Sequence, residues 1–512
     1  MRLNKVEFGD WQTNYEFAKR VCLLLKKRGV NPLTLIEPTC GIGNFIFAAL
    51  DVFDNIKTVY AIEINSQYVS QLIKSSKKYK DVNFVIIKDD IFTYDLSTIN
   101  IEGELLILGN PPWVTNSVLS SLNSSNLPKK YNINKVNGID SITGKSNFDI
   151  AESILIKLIS NFSHCNGHIA LLVKNSVVKN IIEQFNSNNL NLGELSQFEF
   201  NATLEFNVSV SASLFCAQFN RKYNRCCNVY DIYSLKKLRQ IGYSSTGQIV
   251  ANLTQYNKYK FIDGVCQLEW RSGIKHDCAK VMELEKNGNA FINGYYNELD
   301  IETKSVFPLI KSSDIKSDYI KQCRKYIIVT QSKPNENTNN IKLHSPKLYN
   351  YLETYSKQLK GRKSSIYKNK YNFSIFGVGE YSFKPYKIII SSLYKKNRFS
   401  LISSIDGQIA MIDDTCYSIG FNNKLLAEIT LKLLNSPTVQ EFISSISFKD
   451  AKRTVTKDLL MRIDLQEVFN TSTYQNLEIT KEEYLIYHNW INNVNIVKNA
   501  PSHNISKQLC LF

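Results

Sequence analysis

Residues 105–113, LLILGNPPW, decide how this chain folds. Their apolar first half has the length of a β-strand, and it stops at Gly109. Pro111 and Pro112 fix φ and lack a backbone N–H, so neither a helix nor a central strand continues through them. Asn110 is held extended, because a residue before proline is pushed out of the α region. The stretch predicts a strand that ends in a rigid, exposed loop, at the edge where open α/β sheets bind ligands.

This loop has the chemistry to hold a planar ring that carries an amino group. The carboxamide oxygen of Asn110 and the carbonyl of Pro111 can accept both hydrogens of an exocyclic NH2, while the indole of Trp113 stacks on the ring. Two acceptors draw the nitrogen towards tetrahedral geometry and free its lone pair to attack an electrophile. The alternative is a strand-terminating turn with Trp113 packed in the core, and these residues alone do not decide between the two.

A second loop, EPTCGIGNF at residues 37–45, follows the predicted strand LTLIE and opens an apolar helix. Gly41 and Gly43 would let the backbone approach a ligand beside the free N–H groups of a helix N-terminus, although plain turn glycines are the alternative. With Ile46 where a third glycine would fall, this is not the dinucleotide fingerprint, and Glu37 would repel a pyrophosphate. The loop therefore favours an amino-acid-bearing nucleoside with an ammonium or sulfonium group over NAD.

The next two predicted strands also end in acidic residues. Glu63 comes about where a ribose-binding carboxylate is expected in such folds. Asp89 and Asp90 follow the second strand, with Phe92 as an aromatic wall. Because helices alternate regularly with these strands, we predict a doubly wound α/β fold whose parallel sheet carries polar residues at four strand ends. Each acid taken alone could instead be a helix cap or a solvated loop residue.

The composition indicates the kind of partner and compartment. A net charge of +16 and a pI near 9.1 indicate a polyanion, and nucleic acid fits better than a membrane surface because no basic amphipathic or lipidation signal is present. Charge kept for solubility is the alternative. Eleven cysteines without Cys-x-x-Cys spacing argue against a zinc site and for a reducing compartment. With no signal peptide or apolar span, we expect a cytoplasmic protein without metal or membrane contact.

These motifs together resemble the S-adenosylmethionine-dependent DNA adenine-N6 methyltransferases of the gamma order, in which target recognition follows catalysis. The resemblance rests on FGDWQT at residues 8–13, the 37–45 loop, the acidic strand ends and the Asn-Pro-Pro-aromatic tetrapeptide, and it covers roughly Phe8–Phe219. It implies a Rossmann-like catalytic domain over residues 1–230. Residues 231–512 would form a mixed α+β DNA target-recognition domain with a helical C-terminal part.

The resemblance also implies roles for individual residues. The 8–13 and 37–45 segments would hold the methionine part of the cofactor, the acid at the second strand end its ribose, and the acid at the third its adenine amine. The implied cofactor-binding residues are Thr13, Glu37, Pro38, Cys40, Gly41, Gly43, Glu63, Ile64, Asp90, Ile91 and Phe92. The residues implied to hold the flipped target base are Asn110, Pro111, Pro112, Trp113 and Phe206.

Trp113 departs from the Tyr or Phe usual in the family, which keeps a stacking ring but changes its shape. Asn110 in place of Asp leaves no carboxylate base. Phe206 would pack against the flipped adenine, in a segment, 206–215, that alternates like a half-buried strand. A plain core aromatic is the alternative for Phe206.

Basic residues interleaved with aromatics, typical of surfaces that contact phosphates and bases, run from Lys342 to Arg398 and include Lys387 in the strand-like KIIISSLY. More lysines lie in the long polar stretch after the tetrapeptide. The predicted DNA-binding residues are Lys129, Lys130, Lys145, Lys275, Lys384, Lys395, Lys396 and Arg398. Solvated loops and a solvated sheet face are the alternatives. His276 with Cys278 lacks partners at metal-ligand spacing, so no metal site is predicted.

The function implied is methyl transfer from S-adenosylmethionine to N6 of a flipped adenine in double-stranded DNA. Such an enzyme would be the monomeric modification half of a restriction-modification system, beside a separate endonuclease. Cytosine N4 stays open, because that amine meets the same acceptors. Protein glutamine-N5 methyltransferases also use Asn-Pro-Pro-aromatic, but the long basic second half argues against them. A non-catalytic DNA-binding specificity subunit is the other alternative, and it should have lost the polar strand ends that are present here.

Overall fold

The computed structural model describes residues 12–114, 149–185, 192–222, 225–394, 396–451 and 453–494. The chain divides into two compact units, Met1–Thr254 and Gln255–Phe512. This division falls later than the predicted 230/231 boundary, because the strands between residues 227 and 250 continue the sheet of the first unit. Among the described residues, no helix combines the length and the apolar character needed to cross a bilayer.

The first unit alternates helices and strands, as the sequence predicts. In chain order its elements are α1 (Tyr15–Lys27), β1 (Thr34–Glu37), α2 (Asn44–Val52), β2 (Thr58–Ile62), α3 (Ser66–Ser76), β3 (Asn83–Ile87), β4 (Leu105–Gly109), α4 (Ile150–Phe162), β5 (Gly167–Lys174), α5 (Asn175–Phe185), β6 (Leu192–Phe200), α6 (Ala202–Phe206), β7 (Ala212–Phe219), β8 (Cys227–Asp231), β9 (Lys237–Tyr243) and β10 (Ile249–Val250), followed by α7 (Leu253–Tyr259), which crosses the division.

These strands form one sheet in the order β10-β9-β8-β6-β7-β5-β4-β1-β2-β3. The five strands from β5 to β3 run parallel, whereas β7 is antiparallel to both β5 and β6. The chain moves outward from β1 to β3 and then crosses back to β4 on the other side of β1. Such a switch point opens a crevice at the carboxyl ends of the two central strands. The predicted doubly wound α/β fold is confirmed.

The central strands β1 and β4 are covered on both faces. All residues of β1 and of β4 are buried, which is why the sequence reads there as continuous apolar runs rather than as an alternation. Helix α1 instead shows helical spacing, with a buried stripe that includes Phe17, Val21 and Leu25. Asn14 caps it by accepting a hydrogen bond from the backbone N–H of Glu16 at 2.8 Å.

The predicted strand over residues 206–215 is wrong in its first half. The side chain of Asn201 accepts from the N–H groups of Thr203 and Leu204 and so starts the short helix α6, which ends where Asn207 adopts the left-handed conformation at φ 55°. Asn tolerates that conformation better than most residues, so the chain turns there. Strand β7 begins only at Ala212, and it is buried on both faces rather than half-buried.

The second unit contains two sheets and most of its helices after them. Its elements are β11 (Arg271–Ser272), α8 (Ala279–Met282), β12 (Glu283–Asn287), β13 (Ala290–Asn293), β14 (Glu298–Leu299), β15 (Val306–Ile310), β16 (Tyr319–Ile320), β17 (Lys325–Ile328), α9 (Ile341–His344), α10 (Pro346–Thr354), α11 (Ser356–Lys360), β18 (Tyr386–Ser391), β19 (Phe399–Ile402), β20 (Met411–Ile412), β21 (Cys416–Phe421), α12 (Lys424–Leu434), α13 (Pro437–Ile446), α14 (Lys457–Leu460), α15 (Leu465–Asn470) and α16 (Lys481–Asn493).

The two sheets have the orders β11-β21-β18-β19-β16 and β14-β13-β12-β17-β15-β20. Most pairs in both are antiparallel, with β15–β20 and β16–β19 as parallel exceptions. The larger core cluster buries Val281, Leu284, Ile327 and Leu352 around the six-stranded sheet. The mixed α+β character and the helical C-terminal part are therefore as predicted.

Candidate functional site

The two central strands of the first unit bring Glu37 and Asn110 to the same crevice. Glu37 is the last residue of β1, and Asn110 follows the last residue of β4, which pairs with β1 in parallel. The strands approach so closely that a Cβ added to Gly109 would lie 3.3 Å from Cγ of Glu37. Asn110 is half-buried, and its carboxamide oxygen is fully covered. The predicted amide is thus held beside a buried acid and does not point into solvent.

The glycine loop is tied to the end of the neighbouring strand. The N–H of Gly41 donates to Oε2 of Glu63 at 2.7 Å, and the N–H of Cys40 donates to the carbonyl of Ile62 at 2.9 Å. The other carboxylate oxygen of Glu63 accepts from the N–H of Asn65 at 2.8 Å. Gly43, at φ 88°, is the N-cap of α2. The structure therefore brings the predicted glycines and the predicted ribose acid together.

Glu37 is the most deeply buried acid of this crevice, at 3% exposure. Its Oε2 is covered and has no hydrogen-bond partner among the described residues. Burial raises the pKa of Glu37 well above its ordinary value, and the charge of Glu63 raises it further, against a smaller lowering by the N–H of Ile46. A buried carboxyl with an open acceptor matches a ligand that brings its own positive charge.

The third strand end forms another wall of this site. Asp90 accepts a hydrogen bond on Oδ1 from the N–H of Phe92 at 2.9 Å, so its carboxylate shapes its own loop. Ile91 is buried at 5% exposure, whereas Phe92 is half-buried. Ile64 is 46% exposed at the end of β2. These four residues lie at the ends of β2 and β3, as predicted.

Trp113 and Phe206 contact each other. Their ring centroids are 5.2 Å apart in an edge-to-face arrangement, and Phe17 and Phe200 complete an aromatic cluster. Trp113 is only 9% exposed, and its indole N–H donates to the carbonyl of Leu172 at 3.0 Å. The prediction of an exposed loop is therefore wrong at Trp113, because its ring packs inward against this cluster. A stacking role for Trp113 stays a prediction.

The remaining predicted residues of this unit are in supporting positions. Thr13 is buried, and its carbonyl accepts from the side-chain amide of Asn44 at 2.7 Å, which ties the segment before α1 to the first turn of α2. Pro38 and Pro111 are buried, and Pro112 is half-buried. Because proline fixes φ, each of them restricts the backbone around the crevice.

The predicted DNA-binding residues differ in their exposure. Lys129, Lys130, Lys145 and Lys395 lie outside the described residues. Lys275 is half-buried and lies 3.6 Å from Asp277, and Lys384 is half-buried. The basic stretch also includes Lys387, which is 3% exposed. Its ammonium donates to the carbonyls of Lys384 and Ala410, and burial lowers its pKa to about 7, so Lys387 is not a surface residue.

Lys396 and Arg398 do line an open surface groove of the second unit. One part of it, of about 360 Å³, also contains Lys316 and Tyr394, and the adjoining part, of about 700 Å³, contains Tyr319 and Lys321. Arg398 lines both parts and donates to Asp318 at 2.8 Å. We call this feature the basic groove. Sequence reasoning missed Lys316 and Lys321, because they come from a distant segment that only folding brings to Arg398.

A second cluster missed from sequence is buried in the same unit. Nε2 of His276 lies 3.3 Å from Oε1 of Glu283, and Nζ of Lys311 lies 2.6 Å from that same oxygen, with Asp413 beside them. Burial raises the pKa of Glu283, but the hydrogen bonds from His276 and Lys311 outweigh it and lower the pKa to about 2. Since the ammonium of Lys311 lies 2.6 Å from Glu283 and 3.8 Å from Asp413, this cluster reads as a buried ion network.

The Type II methyltransferase M.NspV of Nostoc sp. (strain ATCC 29411 / PCC 7524) is 42% identical over 466 residues, which are 90% of this chain and 97% of the relative. No protein-family model matches the chain.

Among solved structures, the Type IIL restriction-modification enzyme MmeI in complex with DNA aligns with 99% of this chain and 76% of its own, at 12% identity and a TM-score of 0.49. A type I restriction-modification methyltransferase subunit from Streptococcus thermophilus aligns with 43% of this chain and 47% of its own, at 17% identity and a TM-score of 0.32.

Proposed function

The chain belongs to the type II methyltransferases of restriction-modification systems, and from this premise we propose that it methylates N6 of adenine in double-stranded DNA, with S-adenosylmethionine as methyl donor. The observation that carries the proposal is the pairing of Asn110 with a buried, electron-rich crevice at the switch point between β1 and β4.

The crevice has the donor and acceptor groups that such a cofactor requires. Oε2 of Glu37, buried and without a partner among the described residues, suits the ammonium group of the methionine part. Glu63, at the end of β2, is a carboxylate that suits ribose hydroxyls as hydrogen-bond donors. Ile64 and Phe92 offer apolar surface to the adenine ring. When bound, the cofactor supplies a sulfonium methyl group, which is an electrophile.

Asn110 and Pro111 orient the target amine. The carboxamide oxygen and the Pro111 carbonyl accept the two N6 hydrogens, which directs the nitrogen lone pair away from them and towards the methyl group. A bond forms between N6 and the methyl carbon as the bond from sulfur to that carbon breaks, and the extra proton on N6 then passes to water. Positioning of this kind can supply about 7–11 kcal/mol of the barrier reduction.

An adenine inside a duplex cannot reach this crevice, so the base must leave the stack. Extrusion costs a few kcal/mol, which stacking and amine hydrogen bonds in the pocket offset. Trp113 follows Asn110 by three residues and contacts Phe206, and the two rings would flank the extruded base after a local shift of their cluster. Phosphates of the duplex suit the basic groove, whose cations are Lys316, Lys321, Lys396 and Arg398.

The experiment is to express the chain in cells that lack other DNA methylation and to map modified bases by methylation-sensitive long-read sequencing. We expect N6-methyladenine at one short sequence, and a loss of about 100-fold or more in rate for Asn110→Ala, as for other positioned polar groups in active sites. Asn31→Ala, an exposed position at the opposite end of β1, is the matched control and should keep full activity.

Two outcomes would overturn the proposal. DNA without any modified base, from cells that contain the folded parent chain, would remove the enzymatic function. N4-methylcytosine in place of N6-methyladenine would keep the chemistry at Asn110 but change the target base. Protection of the same sequence from a restriction endonuclease would extend the proposal to a restriction-modification pair.

A further inference from the structure

The ammonium group of Lys157 donates hydrogen bonds to three backbone carbonyls of one loop. Its Nζ lies 2.7 Å from the carbonyl oxygen of Ile91, 3.0 Å from that of Phe92 and 2.8 Å from that of Tyr94. A lysine ammonium has three hydrogens, so these bonds use its whole donor capacity. The loop in question follows β3 and carries Asp90, the acid proposed for the adenine amine.

The loop is also organised from within. The carbonyl of Asp90 accepts from the N–H groups of Thr93 and Tyr94 at 3.0 and 2.9 Å, while its carboxylate accepts from Phe92. Those bonds satisfy the N–H groups on the inside of a tight turn. The carbonyls on the outside have Lys157 as their donor, so the turn and the lysine form one unit.

Lys157 belongs to a helix that also contacts the loop after β4, residues 110–114, which we call the catalytic loop. Helix α4 begins beside Trp113, since the N–H of Ile150 donates to the carbonyl of Val114 at 2.9 Å. Lys157 follows Ile150 by seven residues, which corresponds to about 10 Å along a helix axis. One rigid element therefore holds the catalytic loop at its N-terminus and the β3 loop two turns later.

The start of that helix is fixed as well. Asp149 caps it by accepting from the N–H of Ala151 at 3.1 Å, and its second oxygen lies 2.6 Å from Nζ of Lys174. A buried cap with an ion pair leaves α4 little freedom to shift. Any loop that α4 holds is consequently in place before a ligand arrives.

We propose that Lys157 is a positioning residue for methyl transfer, which fixes the adenine-binding loop relative to the catalytic loop without touching the cofactor. The inference rests on the proposed function, because only then is the β3 loop a cofactor loop. A loop ordered in advance does not have to be ordered on binding, and the saved entropy appears as cofactor affinity. The effect of Lys157 should therefore fall on cofactor binding and not on the chemical step.

The test compares Lys157→Met with Lys432→Met in the full chain. Lys432 makes the same kind of contact in the second unit, with Nζ at 2.7 Å from the carbonyl of Leu477 and 3.0 Å from that of Glu478. We expect Lys157→Met to raise the dissociation constant of S-adenosylhomocysteine, measured by calorimetry, and the KM for S-adenosylmethionine by about tenfold each. The kcat and the KM for DNA should change by less than about threefold, and Lys157→Arg should restore part of the affinity.

Lys432→Met should lower the melting temperature without changing either cofactor constant. Equal cofactor constants for the parent and Lys157→Met would overturn the inference, and so would a loss in kcat alone. Should Lys157→Met fail to fold, the graded pair Lys157→Gln and Lys157→Arg decides by the same two constants. A parent chain that binds no S-adenosylhomocysteine would overturn the proposed function itself, which separates that failure from the failure of Lys157.

Discussion

Glu37 and Glu63 end neighbouring parallel strands as two buried carboxyl groups, and the charge of Glu63 adds to burial in raising the pKa of Glu37. Their surroundings differ. Glu63 accepts from two backbone N–H groups, those of Gly41 and Asn65, whereas one oxygen of Glu37 has no partner among the described residues. The raised pKa therefore favours the protonated form of Glu37, while the backbone N–H groups around Glu63 favour a carboxylate there.

The first prediction concerns cofactor binding and pH. An ammonium group favours the charged form of Glu37, so binding must expel its proton. We expect the affinity for S-adenosylhomocysteine to rise with pH up to the raised pKa of Glu37, with release of up to one proton. Calorimetry in buffers of different ionisation enthalpy measures that proton. Glu37→Gln should bind more weakly with no such pH dependence, and proton release that persists in Glu37→Gln would assign it to another group.

The second prediction concerns the stability of the ligand-free chain. Because the pKa of Glu37 is raised above its ordinary 4.5, the folded state holds more protons than the unfolded state above that pH. The free energy of unfolding of the first unit should therefore fall as pH rises above that value towards the raised pKa of Glu37. Glu37→Gln should remove part of that fall and melt higher than the parent at the upper end of this pH range. Parallel melting curves for the two chains across this range would contradict the prediction.

The third prediction separates backbone strain from crowding at the glycine loop. Gly29 and Gly43 share φ 88°, but a Cβ on Gly29 meets nothing within 4 Å, whereas one on Gly43 would lie 2.5 Å from Cδ1 of the buried Leu72. Gly29→Ala should cost about 1–2 kcal/mol for the left-handed conformation alone. Gly43→Ala should lose that energy and about 1–3 kcal/mol more, because its Cβ overpacks against Leu72. It should also weaken cofactor binding by moving the start of α2. Urea unfolding of both chains measures the difference, and equal losses would show that Leu72 moves aside.

The sequence predicted which residues lie at the crevice better than it predicted which side chains surround them. Prolines after a strand and glycines before a helix restrict the backbone locally, so the positions of Asn110 and Gly43 follow from their neighbours. Whether Trp113 faces solvent depends on Phe17, Phe200 and Phe206, which meet it only in the fold. Its burial could not be predicted from a tetrapeptide.

Contacts between distant segments were also beyond sequence reasoning. The three bonds of Lys157 cross from one crossover helix to a loop more than 60 residues earlier, and nothing in either segment signals the other. Lys387 shows the opposite error, since a basic residue in an exposed-looking stretch is buried in β18. A charged side chain therefore does not indicate a surface position when, as for Lys387 in β18, its strand is buried.

The last prediction concerns the basic groove and salt. If Lys396 and Arg398 each contact a phosphate, replacing either with Ala should weaken DNA binding equally for all sequences and reduce the slope of log K against log salt by about 1. Arg398 already donates to Asp318 at 2.8 Å, so a phosphate has to compete with that carboxylate. Asp318→Asn should consequently tighten DNA binding at low salt, opposite in sign to Arg398→Ala.

Lys347→Ala is the control for this series, because Lys347 is an exposed lysine paired with Asp300 and does not line the groove. It should leave the salt slope unchanged. Fluorescence anisotropy with a duplex at several salt concentrations gives all the slopes in one measurement. If the groove binds DNA, Lys396→Ala, Arg398→Ala and Asp318→Asn should each change DNA binding in the stated direction, and Lys347→Ala should not. Plots of log K against log salt that run parallel for all four variants would place the phosphate contacts elsewhere on the chain.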